Sequence, residues 1–224
     1  MTDLRLLHLC DSLFPLGSFA YSDGLEAADV VGLEGLCGWL DVCLDEAFGR
    51  MEGPAVWQAW QAFRAADWDA LAMLDEELTA LRPSAAARRS SPAMGIRLLT
   101  TWQTLHRDAR LEQAIAAAQA GRFGPALPVA FAGACACAGV ERRCAVEAFA
   151  YTRLAATVSA AMRLMPVGQT DAHVLLARAV DRVPAVVDRM IARHLAGGRV
   201  ESFSPAADVA AMTQQYLHSR LFRS

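Results

Sequence analysis

Apolar residues in this chain recur at three- and four-residue steps from one end to the other, and that periodicity fixes what the chain can fold into. Leu36, Leu40, Cys43, Leu44 and Ala47 form one stripe. Trp57, Trp60 and Phe63 form a second, and Leu71, Leu74 and Leu78 a third. Met94, Leu98, Thr101, Trp102 and Leu105 make the next. Val146, Phe149, Ala150, Leu154, Thr157, Val158 and Ala161 make the cleanest, about five turns of helix. Val174, Leu175 and Val180 continue the pattern toward Pro184, where a helix is expected to kink or end. Gly53-Pro54, Arg82-Pro83-Ser84 and Gly197-Gly198 read as stops between helices. No stretch alternates apolar and polar residues for six positions with β-branched enrichment, so strands are not expected. The fold class is all-α: a single helical domain, residues 1–224, of about eight to ten helices. At 224 residues it has ample length to bury a core, and no linker or repeat divides it.

One segment raises the question of a membrane. Phe123 to Val140 carries no formal charge over 18 residues. It also holds Pro125, Pro128, Gly133 and Gly139, and much of the rest is alanine rather than the strongly apolar side chains that insertion requires. A helix buried on all sides is the better reading. The first residues, Met1 to Arg5, lack the basic start, apolar stretch and small-residue cleavage site of a signal peptide, so a cytoplasmic, reducing compartment is expected.

Charge and residue usage exclude several function classes. All 21 basic residues are arginine; the absence of lysine leaves no phosphate-loop lysine and no Schiff-base lysine. The formal net charge of −3 gives no basic footprint for nucleic acid. The cysteines, Cys10, Cys37, Cys43, Cys135, Cys137 and Cys144, read mostly as small buried hydrophobes. His8-Leu9-Cys10 and Cys135-Ala136-Cys137 are the closest ligand pairs, but residues two apart on a helix point apart and cannot share one ion. There is no CxxC, HExxH or GxSxG motif, and His8, His106, His173, His194 and His218 lie near no partner motif. Glu76-Glu77 reads as a solvated helix face. The residues therefore give no catalytic, cofactor-binding or metal site.

Two segments are not explained by a core. Leu13 to Glu26 begins as a ten-residue connection without charge that carries Phe14, Phe19 and Tyr21, whereas connections are normally polar. It is a loop that buries its aromatics under the fold, or an apolar loop that contacts a partner; the two are compatible. Asp23 with Glu26 three residues later resembles a capping box, so a helix is expected to start near Gly24. The second segment is the C-terminus, 202–224. Ser204 and Pro205 suit a helix start, and Val209, Met212, Tyr216 and Arg220 would then share one face. The chain closes on Arg220-Leu221-Phe222-Arg223-Ser224. Apolar residues between arginines at a terminus suggest docking, on this chain or on another.

The same two segments resemble the UreF family of urease accessory proteins. The family pattern Leu-Pro-x-Gly-(Gly/Ser)-Phe-x-Tyr-Ser-x-Gly-Leu-Glu is similar to Phe14 through Glu26, with Phe14 in place of leucine. Arg163-Leu164-Met165-Pro166-Val167-Gly168-Gln169 resembles the family's Arg-Leu-x-Pro-Leu-Gly-Gln stretch, and Tyr216 with Arg220 to Ser224 its C-terminal tag. Asp23 departs from the usual histidine or glutamine, and Pro92 interrupts what is normally a smooth helical run ending in Met94-Gly95.

The resemblance implies an all-helical, non-enzymatic homodimer without a cofactor. It implies binding to UreD (also called UreH), recruitment of the GTPase UreG through that complex, and delivery of nickel to apo-urease, with no nucleic-acid or membrane partner. It further implies that the residues matching Tyr21 and Arg220 take part in assembly, and that the C-terminal segment orders on binding UreD. Together with the residue reading, the expected partner-binding set is Phe19, Tyr21, Tyr216, Arg220, Leu221, Phe222 and Arg223. Taken without the resemblance, the residues also admit a helical scaffold or a metal-binding chaperone unrelated to urease.

Overall fold

The computed structural model describes residues 4–223, apart from the side chain of Phe19. Among the described residues the chain forms ten α-helices and no strand. A short α1 (Leu4–Leu9) leads into a long loop with two 3-10 turns, Ser18–Ala20 and Leu25–Ala27. Then follow α2 (Gly32–Val42), a π-helical stretch (Cys43–Glu52), α3 (Gly53–Ala65), α4 (Trp68–Leu81), α5 (Ala85–Leu105) and α6 (Ala109–Gln119). The second half holds α7 (Leu127–Ala138), α8 (Arg142–Leu164), α9 (Gln169–Leu195), α10 (Pro205–Thr213) and a closing 3-10 turn, Gln214–Tyr216. Local chemistry sets several starts: Asp67, Ser84, Asp108 and Glu141 each accept a backbone N–H of the first helical turn.

The uncharged segment becomes α7, and every residue from Leu127 to Ala136 is buried. It packs against α3 and α5, with α8 closing another side. Two glycines permit this. A Cβ on Gly133 would lie 2.5 Å from the Phe63 ring, and one on Gly95 only 1.7 Å from the Pro125 carbonyl oxygen. Among the described residues no helix is long and apolar enough to cross a membrane.

Three expectations need correction. Gly53-Pro54 does mark the start of α3, with Pro54 in its first turn, but it does not interrupt the chain, which stays helical from Gly32 to Ala65. The π-helical stretch returns to α-helix at this point, and the change of hydrogen-bond register there accommodates a residue without an N–H. Of the two outcomes expected at Pro184, a kink or an end, the end does not occur: α9 runs through it, because Val183, Val186 and Val187 are buried around it and their packing outweighs the lost hydrogen bond. Pro92 likewise lies inside a continuous α5, where Ser91, Met94 and Gly95 are buried. The stripes are otherwise largely internal. Leu105 and Val174, expected on inner faces, are exposed near helix ends where no element covers them. The cysteines are free; Cys135 is buried, Cys144 exposed and the other four half-buried. Burial pushes the Cys10, Cys43 and Cys137 thiols up to about 12, so they are protonated.

Candidate functional site

The Leu13–Glu26 loop is pinned at both ends by apolar side chains. Phe14 is buried and packs edge-on to His8 at 5.6 Å and against Trp102 at 6.0 Å. Leu25 is buried at the other end. Between them Gly17 takes a left-handed conformation (φ 78°) that turns the chain into the first 3-10 turn. Tyr21 follows in extended conformation and is half-buried.

The expected helix near Gly24 shrinks to one 3-10 turn, and the capping box is not formed. Asp23 adopts φ 49° and turns its carboxylate to Arg153 Nη2 at 2.7 Å. The buried Ser22 hydroxyl, rather than Asp23, accepts the Glu26 N–H, at 3.4 Å. Gly24 sits at φ 93°, and a Cβ there would meet Ala211 N of α10 at 2.7 Å. This backbone approach is what brings the C-terminus onto the loop.

The tail completes the contact. Glu26 turns its carboxylate outward to the tail: Oε2 accepts Gln214 Nε2 at 2.9 Å and Phe222 N at 3.2 Å, and Oε1 accepts Leu221 N. Gln214, itself buried, accepts Gly24 N at 3.2 Å. Arg223 N donates to Ala20 O at 2.7 Å. Phe222 is 4% exposed, and the Arg163 guanidinium stacks 4.2 Å from its ring centre. Tyr21, Arg220, Leu221, Phe222 and Arg223, five of the seven expected partner-binding residues, line one groove against α5. Tyr216 stands apart from it and is 80% exposed. The Phe19 side chain lies outside the described residues.

Arg220 does not share a helical face with Val209, Met212 and Tyr216. α10 ends at Thr213, and after the 3-10 turn the backbone at Leu217 is extended, so Arg220 leaves the helical face. Val209, Met212 and Tyr216 remain exposed, joined by Phe203 and Leu221. The tail thus buries Phe222 and turns other apolar groups toward solvent.

Sequence reasoning missed a charged cluster beneath this surface. Glu52 is buried at the end of the π-helical stretch. Its Oε1 accepts Arg82 Nη2 and its Oε2 accepts Arg153 Nε, both at 3.1 Å. Arg153 thereby bridges Glu52 and Asp23. Burial opposes ionisation of Asp23, but the charge and hydrogen bond of Arg153, with Arg82 beyond, outweigh it and hold the carboxyl below the ordinary carboxylate range. Glu52 and Arg153 border a cavity of about 120 Å³ with Cys43, Arg82 and α10. A signal was present: Glu52 stands four residues after Phe48 and four before Val56, both apolar and both buried. A second hidden acid, Asp75, accepts Gly124 N at 3.1 Å and Ala126 N at 2.6 Å and fixes the approach to α7. Among the described residues no three His, Cys, Asp or Glu side chains cluster as metal ligands.

A surface built from an N-terminal loop and a C-terminal tail, on an all-helical body, can be set against known proteins. A model of the UreF family matches residues 30–180. The chain belongs to the UreF family. Similarity to individual family members extends over nearly its whole length. The urease accessory protein UreF of Methylibium petroleiphilum is 34% identical, covering all of this chain and 94% of its own. That of Rhodopseudomonas palustris (strain BisB5) is 33% identical over 98% of this chain and 90% of its own. That of Dechloromonas aromatica is 31% identical over 98% and 96%. The loop and the tail lie outside the span of the UreF model but within these full-length similarities.

Proposed function

We propose that this chain is a non-enzymatic adaptor in urease maturation, and that the loop–tail surface is where it binds UreD/UreH. Through that complex it recruits or regulates the GTPase UreG for nickel insertion into apo-urease, and it acts in the cytoplasm as a homodimer. The observation that carries the reading is the outward apolar side of a well-anchored tail: Phe203, Val209, Met212, Tyr216 and Leu221 are exposed on a segment whose own fixation uses Phe222, Gln214 and Glu26. Apolar and aromatic groups beside arginines have the composition of interface anchors. A polar network among arginines and carboxylates, with buried thiols held protonated, offers no activated nucleophile.

Co-purification of UreD/UreH with the full chain tests the reading. Tyr216→Ala combined with Leu221→Ala should reduce capture at least about tenfold, since interface anchors typically each contribute more than 1 kcal/mol. Both side chains are exposed, so the melting temperature should hold. Undiminished capture by the double variant would remove this surface from the interface. Truncation of 202–224 is a poorer test, because it also strips Ala210, Gln214 and Phe222 from buried positions.

A further inference from the structure

We infer that the corner where α3 meets the start of α8 is a second docking surface, built to take an acidic segment of a protein partner. It shares no residue with the loop–tail surface and does not depend on it. The α3 face carries Trp57, Trp60 and Arg64 at steps of three and four; Arg64 is exposed and both tryptophans are half-buried. Arg142, the first residue of α8, lies across this strip. Its guanidinium stacks 3.7 Å from the centre of the Trp57 ring, and its Nε donates to Trp57 O at 2.8 Å. The Trp60 indole N–H donates to Val140 O at 3.0 Å, and the Arg64 guanidinium stands 5.4 Å from the Trp60 ring centre.

What the strip lacks is negative charge. Among the described residues neither Arg64 nor Arg142 makes an ion pair. Glu141, next to Arg142 in sequence, commits its two oxygens to Arg143 N and Cys144 N. Elsewhere in the molecule a desolvated guanidinium meets a carboxylate, as Arg82 and Arg153 meet Glu52. Arg142 is desolvated without one: burial brings it down to about 10, where it is still cationic at neutral pH. Burial and the Arg142 charge together hold His194, in the last turn of α9, below the ordinary imidazole range, and His194 Nδ1 is buried with no partner among the described residues. The stacking and the Nε bond fix the plane of the Arg142 guanidinium and leave its Nη1 and Nη2 donors unclaimed. A planar pair of free donors suits the two oxygens of a carboxylate. The flanking tryptophans suit apolar residues beside it, so the complement of this corner is an acidic segment with apolar neighbours.

Fluorescence anisotropy with the full chain and a labelled synthetic peptide of glutamate and leucine tests this surface. The peptide should bind, and its counterpart with glutamine in place of glutamate should not. Arg142→Gln should weaken binding at least about tenfold, because it removes the charge that a bound carboxylate faces. Arg142→Lys, which keeps the charge without the planar fork, should lie between wild type and Arg142→Gln. Arg64→Gln should weaken binding by less, about two- to threefold, since that side chain is exposed. If Arg142→Gln lowers the melting temperature, Arg142→Lys and Arg64→Gln carry the decision. A carboxylate seated beside Arg142 should also raise the titration midpoint of His194, read by NMR. No binding, equal binding of the glutamine peptide, or unchanged affinity in all three variants would overturn the assignment. Displacement of the peptide by inorganic phosphate at matched ionic strength would make this a free-anion site and overturn the docking claim. A change in the sedimentation of Arg142→Gln would make the occupant a second copy of this chain and overturn it equally. Tyr216→Ala with Leu221→Ala should bind the peptide as the wild type does; loss of binding there would put the peptide on the loop–tail surface instead. No UreD/UreH enters the assay, so its failure leaves the adaptor reading standing.

Discussion

Two regions of this molecule are held by different means. Around α7 the contacts are made by shape: a helix buried on every side, with Gly95 and Gly133 letting backbone and ring approach where a single extra carbon would collide. At the loop–tail surface Phe14, Leu25 and Phe222 are buried, but individual polar bonds to Glu26, Gln214 and Ala20 fix the tail, and other large apolar groups face solvent. The first region spends its apolar residues on its own stability. The second leaves Tyr216 and Leu221 uncovered while ordering the backbone that carries them. An interior closed by shape tolerates no added atom; a surface held by named bonds can be altered bond by bond.

The sharpest way to break that contrast is Gly95→Ala. The new Cβ would fall 1.7 Å from Pro125 O, a backbone atom that cannot move without shifting the start of α7. Overpacking usually costs about 1–3 kcal/mol, and a backbone clash of this size should exceed that range, to more than about 4 kcal/mol. For a chain of this length that lowers the melting temperature by roughly 10 °C or more, readable by calorimetry. A small change would mean that the α5–α7 contact is not set by shape.

Arg153→Ala probes the polar network under the loop. It leaves Glu52 buried with Arg82 as its remaining partner and removes the anchor of Asp23. Loss of one partner from a buried pair typically costs about 3–5 kcal/mol, and the retained Arg82 places the expectation near about 3 kcal/mol in denaturant unfolding. Arg153→Met combined with Glu52→Leu should recover part of it. If the double variant is the weaker of the two, packing rather than charge holds this layer.

Asp75 gives a pH test of the α7 approach. Burial raises its carboxyl to about 6, against the lowering effect of the Ala126 and Gly124 N–H groups and Arg82. The folded value lies above the unfolded one. Its contribution is therefore fully present below the ordinary carboxylate range and is lost as pH rises through about 6. Asp75→Asn removes that titration. Between pH 4 and pH 7 the difference in unfolding free energy between wild type and variant should move in favour of the variant by up to about 3 kcal/mol. A pH-independent difference would reject the assignment. Asp23 acts in the opposite sense: its lowered carboxyl supports folding above the ordinary carboxylate range, and that support fades as pH falls through its folded value.

The smallest expected effect is the most informative about the surface. Tyr216→Ala should leave stability within about 0.5 kcal/mol, since the ring is exposed. A drop comparable to Arg153→Ala would show that the outer side of the tail belongs to the fold after all.

Much of this was legible in order. The helical class, the buried Phe123–Val140 segment and the prominence of the two terminal segments all follow from periodicity and from apolar residues placed where polar ones are usual. Those signals are local, because a helix face is written in residues three and four apart. The continuity through Pro54, Pro92 and Pro184 was not legible, since burial by distant elements outweighs a local breaker. Nor was the role of Glu26. As a sequence it is the end of a capping box; in three dimensions its partners stand 188 to 196 residues away. Residue periodicity sets most of the helical segments and marks those out of place in a core. Only the tertiary structure decided which charge meets which, because a carboxylate or guanidinium reads alike on solvent and in a core until the chain returns to supply its partner, as Arg153 does for Glu52 and the tail does for Glu26.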